Sequence, residues 1–312
     1  MYRLHAFPLK RLIPALGMLL AALALACGSA ATSPPEPATH INLAPASEDS
    51  INPILATTVL EPGTQRVSFL LVGKKALIKA PEAQVTAIYL GEGDARSQTA
   101  QAQFHLWPYA IRGAYSTELD LDRVGRWQLD ISVDDRDFSG ATQLTLEVVA
   151  DSAVPNVGAT PPRSRTKTLA SAGSFEKLTT DHTPDADLYQ LTVKEAIESD
   201  LPSVIVFATP AFCTSPTCGP QVDTVTELKE AHRSEAHFVH VEIYDNPEQI
   251  QGDLSNAKLS EAVNEWGISK IPGWFNESWT FILDSEGVVA QRFEGFVTLE
   301  ELEEALREVL RS

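Results

Sequence analysis

The sequence predicts an all-β domain followed by an α/β domain. The chain has 312 residues, whereas an average domain has roughly 150. From about residue 65 to residue 149, short segments alternate apolar and polar side chains with the period of two that is typical of half-buried strands. Beyond residue 186, apolar segments of strand length alternate with segments of helical spacing, which indicates an α/β domain. We therefore expect more than one hydrophobic core.

The all-β domain is expected over residues 56–152. Its clearest strand places Trp127, Leu129, Ile131 and Val133 on one face, with polar residues between them. The six predicted strands are Gln65–Val72, Gln84–Leu90, Gln101–Trp107, Ala114–Leu121, Arg126–Val133 and Thr142–Val149. Six or seven short strands in about 100 residues favour an immunoglobulin-like sandwich.

Two segments of low hydrophobicity flank this domain. Residues 28–55 are rich in Ser, Ala, Pro and Thr, and a segment of this composition cannot bury enough apolar surface to fold. We expect a disordered tether there. Residues 153–185 contain several prolines and no sustained period, which predicts a linker to the α/β domain of residues 186–312.

The α/β domain begins with a short helix and the apolar strand Ser203–Ala208. This strand leads towards Pro220, where we expect a helix to start, because proline is favoured at the first helical position. A helix over residues 257–266 and a last helix opened by Thr298 follow. Thr298 and Glu301, three residues apart, form the pattern of a capping box. The other predicted strands are His237–Ile243, Trp279–Leu283 and Val288–Phe293.

Charge and cysteine content exclude several functional classes. The chain has 42 acidic and 24 basic side chains, a net charge of −18. It therefore lacks the basic surface that nucleic acids require, and we expect no nucleic-acid partner. Its three cysteines, Cys27, Cys213 and Cys218, are too few for a disulfide scaffold or a tetrahedral zinc site. The sequence contains no glycine-rich phosphate loop, and we predict no cofactor.

The amino terminus has the pattern of an export signal. Arg3, Lys10 and Arg11 precede an apolar run of residues 12–25, which is about the length of a signal-peptide core. The run ends in Ala24-Leu25-Ala26-Cys27-Gly28, which resembles the lipobox of bacterial lipoproteins. The resemblance implies a signal peptide over residues 1–27, lipidation of Cys27, and a lipid anchor at the extracytoplasmic face of the cell membrane. The alternatives are a plain signal peptide in which Cys27 has no role, and an apolar helix that is not cleaved.

Cys213 and Cys218 are the candidate reactive residues of the α/β domain. Residues five apart within one α-helix are displaced by about 7.5 Å along its axis, beyond the Cα separation that disulfides use. Cys213 is therefore expected in a loop, and Cys218 at the start of the following helix. A thiolate at a helix N-terminus is stabilised and reactive at neutral pH. The pair is either redox-active or an inert structural bridge, and the sequence leaves both open.

These features together resemble the thioredoxin superfamily. The segments that carry the resemblance are the strand before the cysteines, Cys218-Gly219-Pro220, the strand end at Glu242, and Trp279–Gly287 followed by Phe293-Glu294-Gly295. The resemblance spans about residues 186–312. It implies a central sheet with flanking helices and a thiol–disulfide exchange activity.

The chain departs from the family pattern at the cysteine pair and in the segment around Ser278. Its cysteines are separated by four residues, so the resemblance does not assign which of them attacks a substrate. Ser278 stands where the family has a cis-proline, and Trp274 and Trp279 make its neighbourhood unusually aromatic. Trp274, Ser278 and Trp279 are candidates for a substrate groove, with core packing as the alternative.

The favoured function is a thiol–disulfide oxidoreductase that acts on exported proteins. Cys213 and Cys218 would be the redox pair, and a membrane redox partner would exchange electrons with it. Sco-type copper chaperones are the first alternative, because they bind copper with two loop cysteines and a distant histidine. A protein that binds a partner through its sandwich, with a purely structural disulfide, is the second. The histidines near enough in sequence for a copper site are His182, His232, His237 and His240.

Overall fold

The computed structural model describes residues 50–94, 96–108, 112–274 and 277–312. The predicted signal peptide, Cys27 and residues 28–49 of the predicted tether lie outside these ranges. None of the helices within them is both long and apolar enough to cross a membrane. The described residues form a seven-stranded and a four-stranded sheet, and all of them belong to one compact unit.

Seven strands build the first sheet, and every neighbouring pair is antiparallel. All six strands predicted for this part of the chain are present, with small differences at their ends. The strands are β1 (Asn52–Leu55), β2 (Gly63–Val72), β3 (Glu82–Tyr89), β4 (Ser97–Leu106), β5 (Gly113–Leu121), β6 (Gly125–Asp134) and β7 (Ser139–Val148).

The sheet curls until its first and last strands meet. Its strand order is β1-β2-β5-β4-β3-β6-β7, and the hydroxyl of Thr142 in β7 donates to the carbonyl of Ile51, next to β1, at 3.1 Å. Phe69, Tyr115 and Trp127 fill the interior and are fully buried. This barrel-like arrangement is compatible with an immunoglobulin-like sandwich.

Strand β1 corrects the predicted end of the tether. The prediction placed residues 52–55 in a disordered segment, but Asn52–Leu55 pairs with the end of β2. Ile51 is buried and Leu55 packs against the core, so this short segment buries enough apolar surface to be ordered. Pro53 weakens the sequence signal for a strand, although it is tolerated because β1 is at an edge of the sheet.

The second sheet is mixed and has the order β11-β10-β8-β9. β8 and β9 are parallel, whereas β10 pairs antiparallel with both β8 and β11. Its strands are β8 (Ser203–Ala208), β9 (His237–Glu242), β10 (Trp279–Leu283) and β11 (Val289–Glu294). The helices are α1 (Leu169–Ala172), α2 (Val193–Ile197), α3 (Cys218–His232), α4 (Pro247–Ile250), α5 (Glu261–Glu265) and α6 (Leu299–Arg311), with 3-10 turns at Phe175–Lys177, Ala186–Tyr189, Leu254–Asn256 and Ile268–Lys270.

Helices cover both faces of this sheet. In β8, Val204 and Val206 point into a cluster with apolar residues of α3 and α6, while Ile205 and Phe207 point into a cluster with residues of α2 and α5. Every residue of β8 is buried, as expected for a strand that has cover on both faces. The layers are therefore helix, sheet, helix, which agrees with the predicted α/β class.

Helix α5 is shorter than predicted. The prediction gave a helix over residues 257–266, but the helix spans Glu261–Glu265. The preceding residues pair with the chain that follows β9 instead: Asp245 donates its N–H to the Lys258 carbonyl, and Ser260 donates to Ile243. Ser260 then stands at the N-cap position, so these backbone pairings delay the helix start.

The predicted linker packs closely against the α/β sheet. Gly158 donates its N–H to Val289 in β11, and Val289 donates to Ala159, so this segment pairs with the sheet edge. Gly267, at φ 70°, lies so close that a Cβ there would be 1.9 Å from the Ala153 carbonyl oxygen. The segment therefore folds onto the sheet as well as connecting the two halves.

Polar contacts that are buried or partly buried join the two halves of the structure. Arg66 of β2 contacts the Glu301 carboxylate of α6 at 2.8 Å, and Ser116 of β5 donates to the same oxygen at 2.9 Å. Arg292 of β11 lies 3.7 Å from Glu61, and both side chains are about 5% exposed. Burial opposes the charge of Glu301, but the Arg66 guanidinium outweighs it and holds the pKa of this carboxyl at about 2.

We expect Arg66→Gln to destabilise the protein by roughly 1 to 3 kcal/mol at pH 7, because it leaves the partly buried Glu301 charge without its partner. Since the pKa of Glu301 in the folded protein is below its usual 4.5, the stabilisation is present above pH 4.5 and is lost as the pH falls towards 2. Urea unfolding at pH 7 and pH 3 measures both effects.

The control for this variant is Arg96→Gln. Arg96 pairs with Asp122 on the surface, where an ion pair contributes about 0 to 1 kcal/mol. The double variant Arg66→Gln/Glu301→Gln should recover part of the lost stability, since it removes the unpaired charge. Equal effects of Arg66→Gln and Arg96→Gln would contradict a buried interface.

Candidate functional site

Cys213 and Cys218 form a disulfide at the carboxyl end of β8. β8 ends at Ala208, residues 209–217 form a loop, and Cys218 is the first residue of α3. The two Cα atoms are 5.9 Å apart. The structure confirms the predicted disulfide bond, and it places Cys213 in the loop, where helix geometry required it to be. Cys218 is fully buried, whereas Cys213 is partly exposed.

Helix α3 starts two residues earlier than predicted. Pro220 is its third residue rather than its first, and Thr217 stands at the N-cap position. The first backbone hydrogen bond of the helix is donated by the Gln221 N–H to the Thr217 carbonyl at 2.8 Å. Because the N–H groups before it have no helical acceptor, Pro220 fits at this position without cost.

Ser215 connects the cysteine loop to the segment before β10. Its hydroxyl lies 3.8 Å from the Cys213 sulfur and donates to the Glu277 carboxylate at 2.8 Å, while the Thr217 hydroxyl contacts it from the other side. Burial raises the pKa of Glu277, and the hydrogen bonds from Ser215 act against this rise. The two cysteines are thus flanked by a half-buried carboxyl group.

The carboxyl group of Glu242 is buried and is connected to the cysteine loop by hydrogen bonds. Glu242 ends β9 and pairs with Ala208 of β8, the residue just before the loop. Its carboxylate accepts hydrogen bonds from the Thr180 N–H and hydroxyl, both at 2.8 Å. The N–H of Ala211 in the loop donates to the Thr180 hydroxyl at 3.2 Å. Burial raises the pKa of Glu242 to about 7, against hydrogen bonds from Thr209 and Thr180 that lower it.

Sequence reasoning did not select Glu242 or Glu277 as site residues. The available signal for Glu242 was a carboxylate in the last position of an otherwise apolar strand, beside the strand that leads to the cysteines. For Glu277 no spacing rule connects it to the cysteine loop, because 62 residues separate it from Ser215. Both positions are evident only when the strand order is known.

The buried histidine of β9 has a structural partner on each side. His240 contacts the Tyr189 hydroxyl through Nδ1 at 2.7 Å and the Ala208 carbonyl through Nε2 at 3.2 Å. Burial lowers its pKa to about 4. His232 lies between Glu235 and Glu303. Among the described residues, no three His, Cys, Asp or Glu side chains are grouped as metal ligands would be.

The residues predicted to floor a substrate groove do not form one. Ser278 and Trp279 are 0% and 1% exposed, and Trp279 stacks on Phe281 in the core. Trp274 is half-buried, and its indole N–H donates to the Glu277 carbonyl at 3.1 Å. These aromatic side chains are explained by core packing, the alternative that the sequence left open, because β10 is central in the sheet and covered on both faces.

Comparisons with known proteins assign no family. No family model matches the chain, and no curated protein matches it. Among solved structures, the PKD domain from the human VPS10 domain-containing receptor SorCS2 is similar to part of it, at 12% sequence identity and a TM-score of 0.20, covering 40% of this chain and 98% of that domain. A similarity at this level assigns neither a fold nor a function to the chain.

We expect Glu242→Gln to change the pH dependence of stability. The folded protein keeps a proton on Glu242 that the unfolded chain releases, so wild-type stability falls as the pH rises from 4.5 through 7. The free energy of unfolding of Glu242→Gln minus that of wild type should thus be larger, in the stabilising direction, by about 3 kcal/mol at pH 8 than at pH 4. Urea unfolding across this range measures the difference.

Glu286→Gln is the control, because Glu286 is exposed in the turn after β10. It should show the same difference from wild type at both pH values. An unchanged pH profile in Glu242→Gln would mean that the Glu242 carboxyl is ionised in the folded protein at pH 5 and above.

Proposed function

We propose that the protein is a thiol–disulfide oxidoreductase that acts on exported proteins. The observation that carries the proposal is the Cys213–Cys218 disulfide at the junction of a buried strand and a 15-residue helix, with one sulfur buried and the other partly exposed. The carboxyl ends of strands in open α/β sheets are the usual place for a functional site. The α/β sheet with its flanking helices supports a thioredoxin-like assignment of residues 186–312.

The two cysteines have different roles in this proposal. The partly exposed Cys213 is the sulfur that a substrate reaches. Cys218 is buried at the first position of α3, where the positive end of the helix dipole stabilises a thiolate. Cys218 therefore serves as leaving group when the disulfide opens and as attacking group when it forms again.

The exchange proceeds through a mixed disulfide. A substrate thiolate attacks the Cys213 sulfur, forms an S–S bond with it and displaces Cys218 as a thiolate. A second substrate thiolate attacks the substrate sulfur of this bond and releases Cys213. Two electrons have then passed from the substrate dithiol, now a disulfide, to the protein pair, now two thiols. The reverse sequence reduces a substrate disulfide, and a membrane redox partner returns the pair to its starting state.

Replacing each cysteine tests the assignment. We expect Cys218→Ser to accumulate a mixed disulfide with oxidised insulin. The Cys213 thiolate attacks an insulin disulfide, one insulin sulfur leaves as a thiolate, and no second thiol of the protein resolves the new bond. Cys213→Ser should trap at least tenfold less, since Cys218 is buried. Both variants should lose insulin reduction in the presence of dithiothreitol, as read from turbidity, and mass spectrometry identifies the trapped species.

A structural disulfide gives different results. A bond that survives excess dithiothreitol in the folded protein, or has a reduction potential below about −300 mV, would exclude a redox function. Under that outcome, the double variant Cys213→Ser/Cys218→Ser would lower the melting temperature without any loss of exchange activity relative to wild type.

We also propose that the protein is anchored at the extracytoplasmic face of the cell membrane through lipidated Cys27. The support is the lipobox-like end of the predicted signal peptide. In cells that express the full chain, we expect Cys27→Ser to move the protein from the membrane fraction to the soluble fraction, and metabolic labelling with palmitate to be lost. Retention of label in Cys27→Ser would contradict this assignment.

A further inference from the structure

A groove lies between the sandwich and the cysteine loop. It has a volume of about 410 Å³, within the range of roughly 300 to 1,000 Å³ that ligand pockets span. Leu70 and Leu77, at the end of β2 and just beyond it, form one wall, and Trp107 after β4 forms another. Ser215 from the cysteine loop completes it. We name it the loop groove.

The loop groove is adjacent to the accessible sulfur. Ser215 lines the groove, and its hydroxyl is 3.8 Å from the Cys213 sulfur. A peptide segment with one side chain in the groove is therefore long enough to reach Cys213 with a neighbouring residue. Since the sandwich supplies most of the lining, this domain contributes to the site next to which the exchange occurs.

The rim of the loop groove is cationic. Lys74, Lys75 and Arg112 line it and are exposed. Within the described part of the chain, none of the three forms an ion pair with a carboxylate. Three unpaired cations around one apolar groove are unusual in a chain with a net charge of −18. They favour a negatively charged partner, because a cationic rim accelerates the approach of anionic groups and slows that of cationic ones.

The two sheets are fixed relative to each other beside this groove. The buried contacts of Arg66 with Glu301 and of Arg292 with Glu61 join the sandwich to the α/β sheet. The side chain of Glu294 in β11 also accepts hydrogen bonds from the N–H of Thr58 at 2.7 Å and from its hydroxyl. The groove is therefore formed before a partner arrives, which lowers the entropic cost of binding.

We propose that the loop groove binds substrate segments in which an apolar side chain and acidic residues flank the reacting cysteine. This inference rests on the proposed function and names its substrate class. The apolar side chain contacts Leu70, Leu77 and Trp107, and the carboxylates approach Lys74, Lys75 and Arg112. The sulfur of the same segment then exchanges with Cys213 as described above.

The test compares two disulfide-bonded peptides that share a Phe next to each cysteine and differ only in flanking residues, Asp in one and Lys in the other. At 50 mM salt, we expect the full-length reduced protein to react with the acidic peptide at least tenfold faster, measured by stopped-flow fluorescence. The preference should decrease as the salt concentration rises.

Two triple variants with the same change in charge separate the groove from the overall charge. Lys74→Glu/Lys75→Glu/Arg112→Glu should abolish or invert the preference. Arg126→Glu/Arg136→Glu/Lys258→Glu, which changes exposed residues that do not line the groove, should keep it. Trp107→Ala should slow the reaction of both peptides, because it removes an apolar wall and leaves the charges.

Reaction with dithiothreitol distinguishes failure of this inference from failure of the proposed function. If the wild-type disulfide does not exchange with dithiothreitol, the oxidoreductase proposal itself is wrong. If it exchanges with dithiothreitol at equal rates in all variants but shows no preference between the peptides, only the loop groove inference is overturned. A lipid-binding role of the cationic rim would also overturn the inference. In that case, the wild-type protein would bind phosphatidylglycerol vesicles, the first triple variant would not, and neither would prefer one peptide over the other.

Discussion

The carboxylate of Glu301 joins the two halves of this protein. One of its oxygens accepts hydrogen bonds from the Thr298 N–H and hydroxyl and so caps α6, while the other accepts from Arg66 and Ser116 of the first sheet. Glu301 is partly buried, and removing one set of donors would leave part of its charge without a partner, which is costly. The start of α6 and the contact between the two halves therefore support each other. The contacts of Arg292 with Glu61 and of Glu294 with Thr58 hold the halves together as well.

These contacts fix the surface of the first sheet relative to the cysteine loop. On a flexible linker, that surface would have no fixed relation to Cys213. With the two sheets fixed, residues of the sandwich such as Trp107 lie beside Ser215 and shape the space next to the exposed sulfur. The segment around Ser278, by contrast, is removed from solvent by the central position of β10.

Much of the fold was predictable because its signals are local. The alternation in β6, the apolar run of β8 and the capping box at Thr298 each depend on a few consecutive residues, and all three are present. Strand β1 was missed because Pro53 weakens the strand pattern. The start of α3 was placed two residues too late because Pro220 was taken as the first helical residue. Residues 257–259 were assigned to a helix because their backbone pairing with the chain after β9 is not encoded in any local period.

The site was predictable only in part, for a related reason. The loop position of Cys213 followed from helix geometry, and the pair forms the disulfide that was predicted. The carboxyl groups of Glu242 and Glu277 were missed because they come to the cysteine loop from distant parts of the chain. Burial, which raises the pKa of both, is a property of the completed packing. An acidic residue in a sequence does not reveal whether water will reach it.

The segment predicted as a simple linker has a definite role in this arrangement. Its residue Thr180 donates to Glu242 and accepts from the Ala211 N–H, while Tyr189, a few residues further on, contacts His240. These contacts hold the segment over the end of β9, and the Thr180 hydroxyl contacts both the Ala211 N–H and the Thr209 hydroxyl of the cysteine loop. The loop is held from other sides by the hydrogen bond of Ser215 to Glu277 and by the Phe212 ring, which packs on Tyr244. The Glu242 carboxyl, whose pKa is raised by burial to about 7, is thus connected to the loop through the Thr180 hydroxyl.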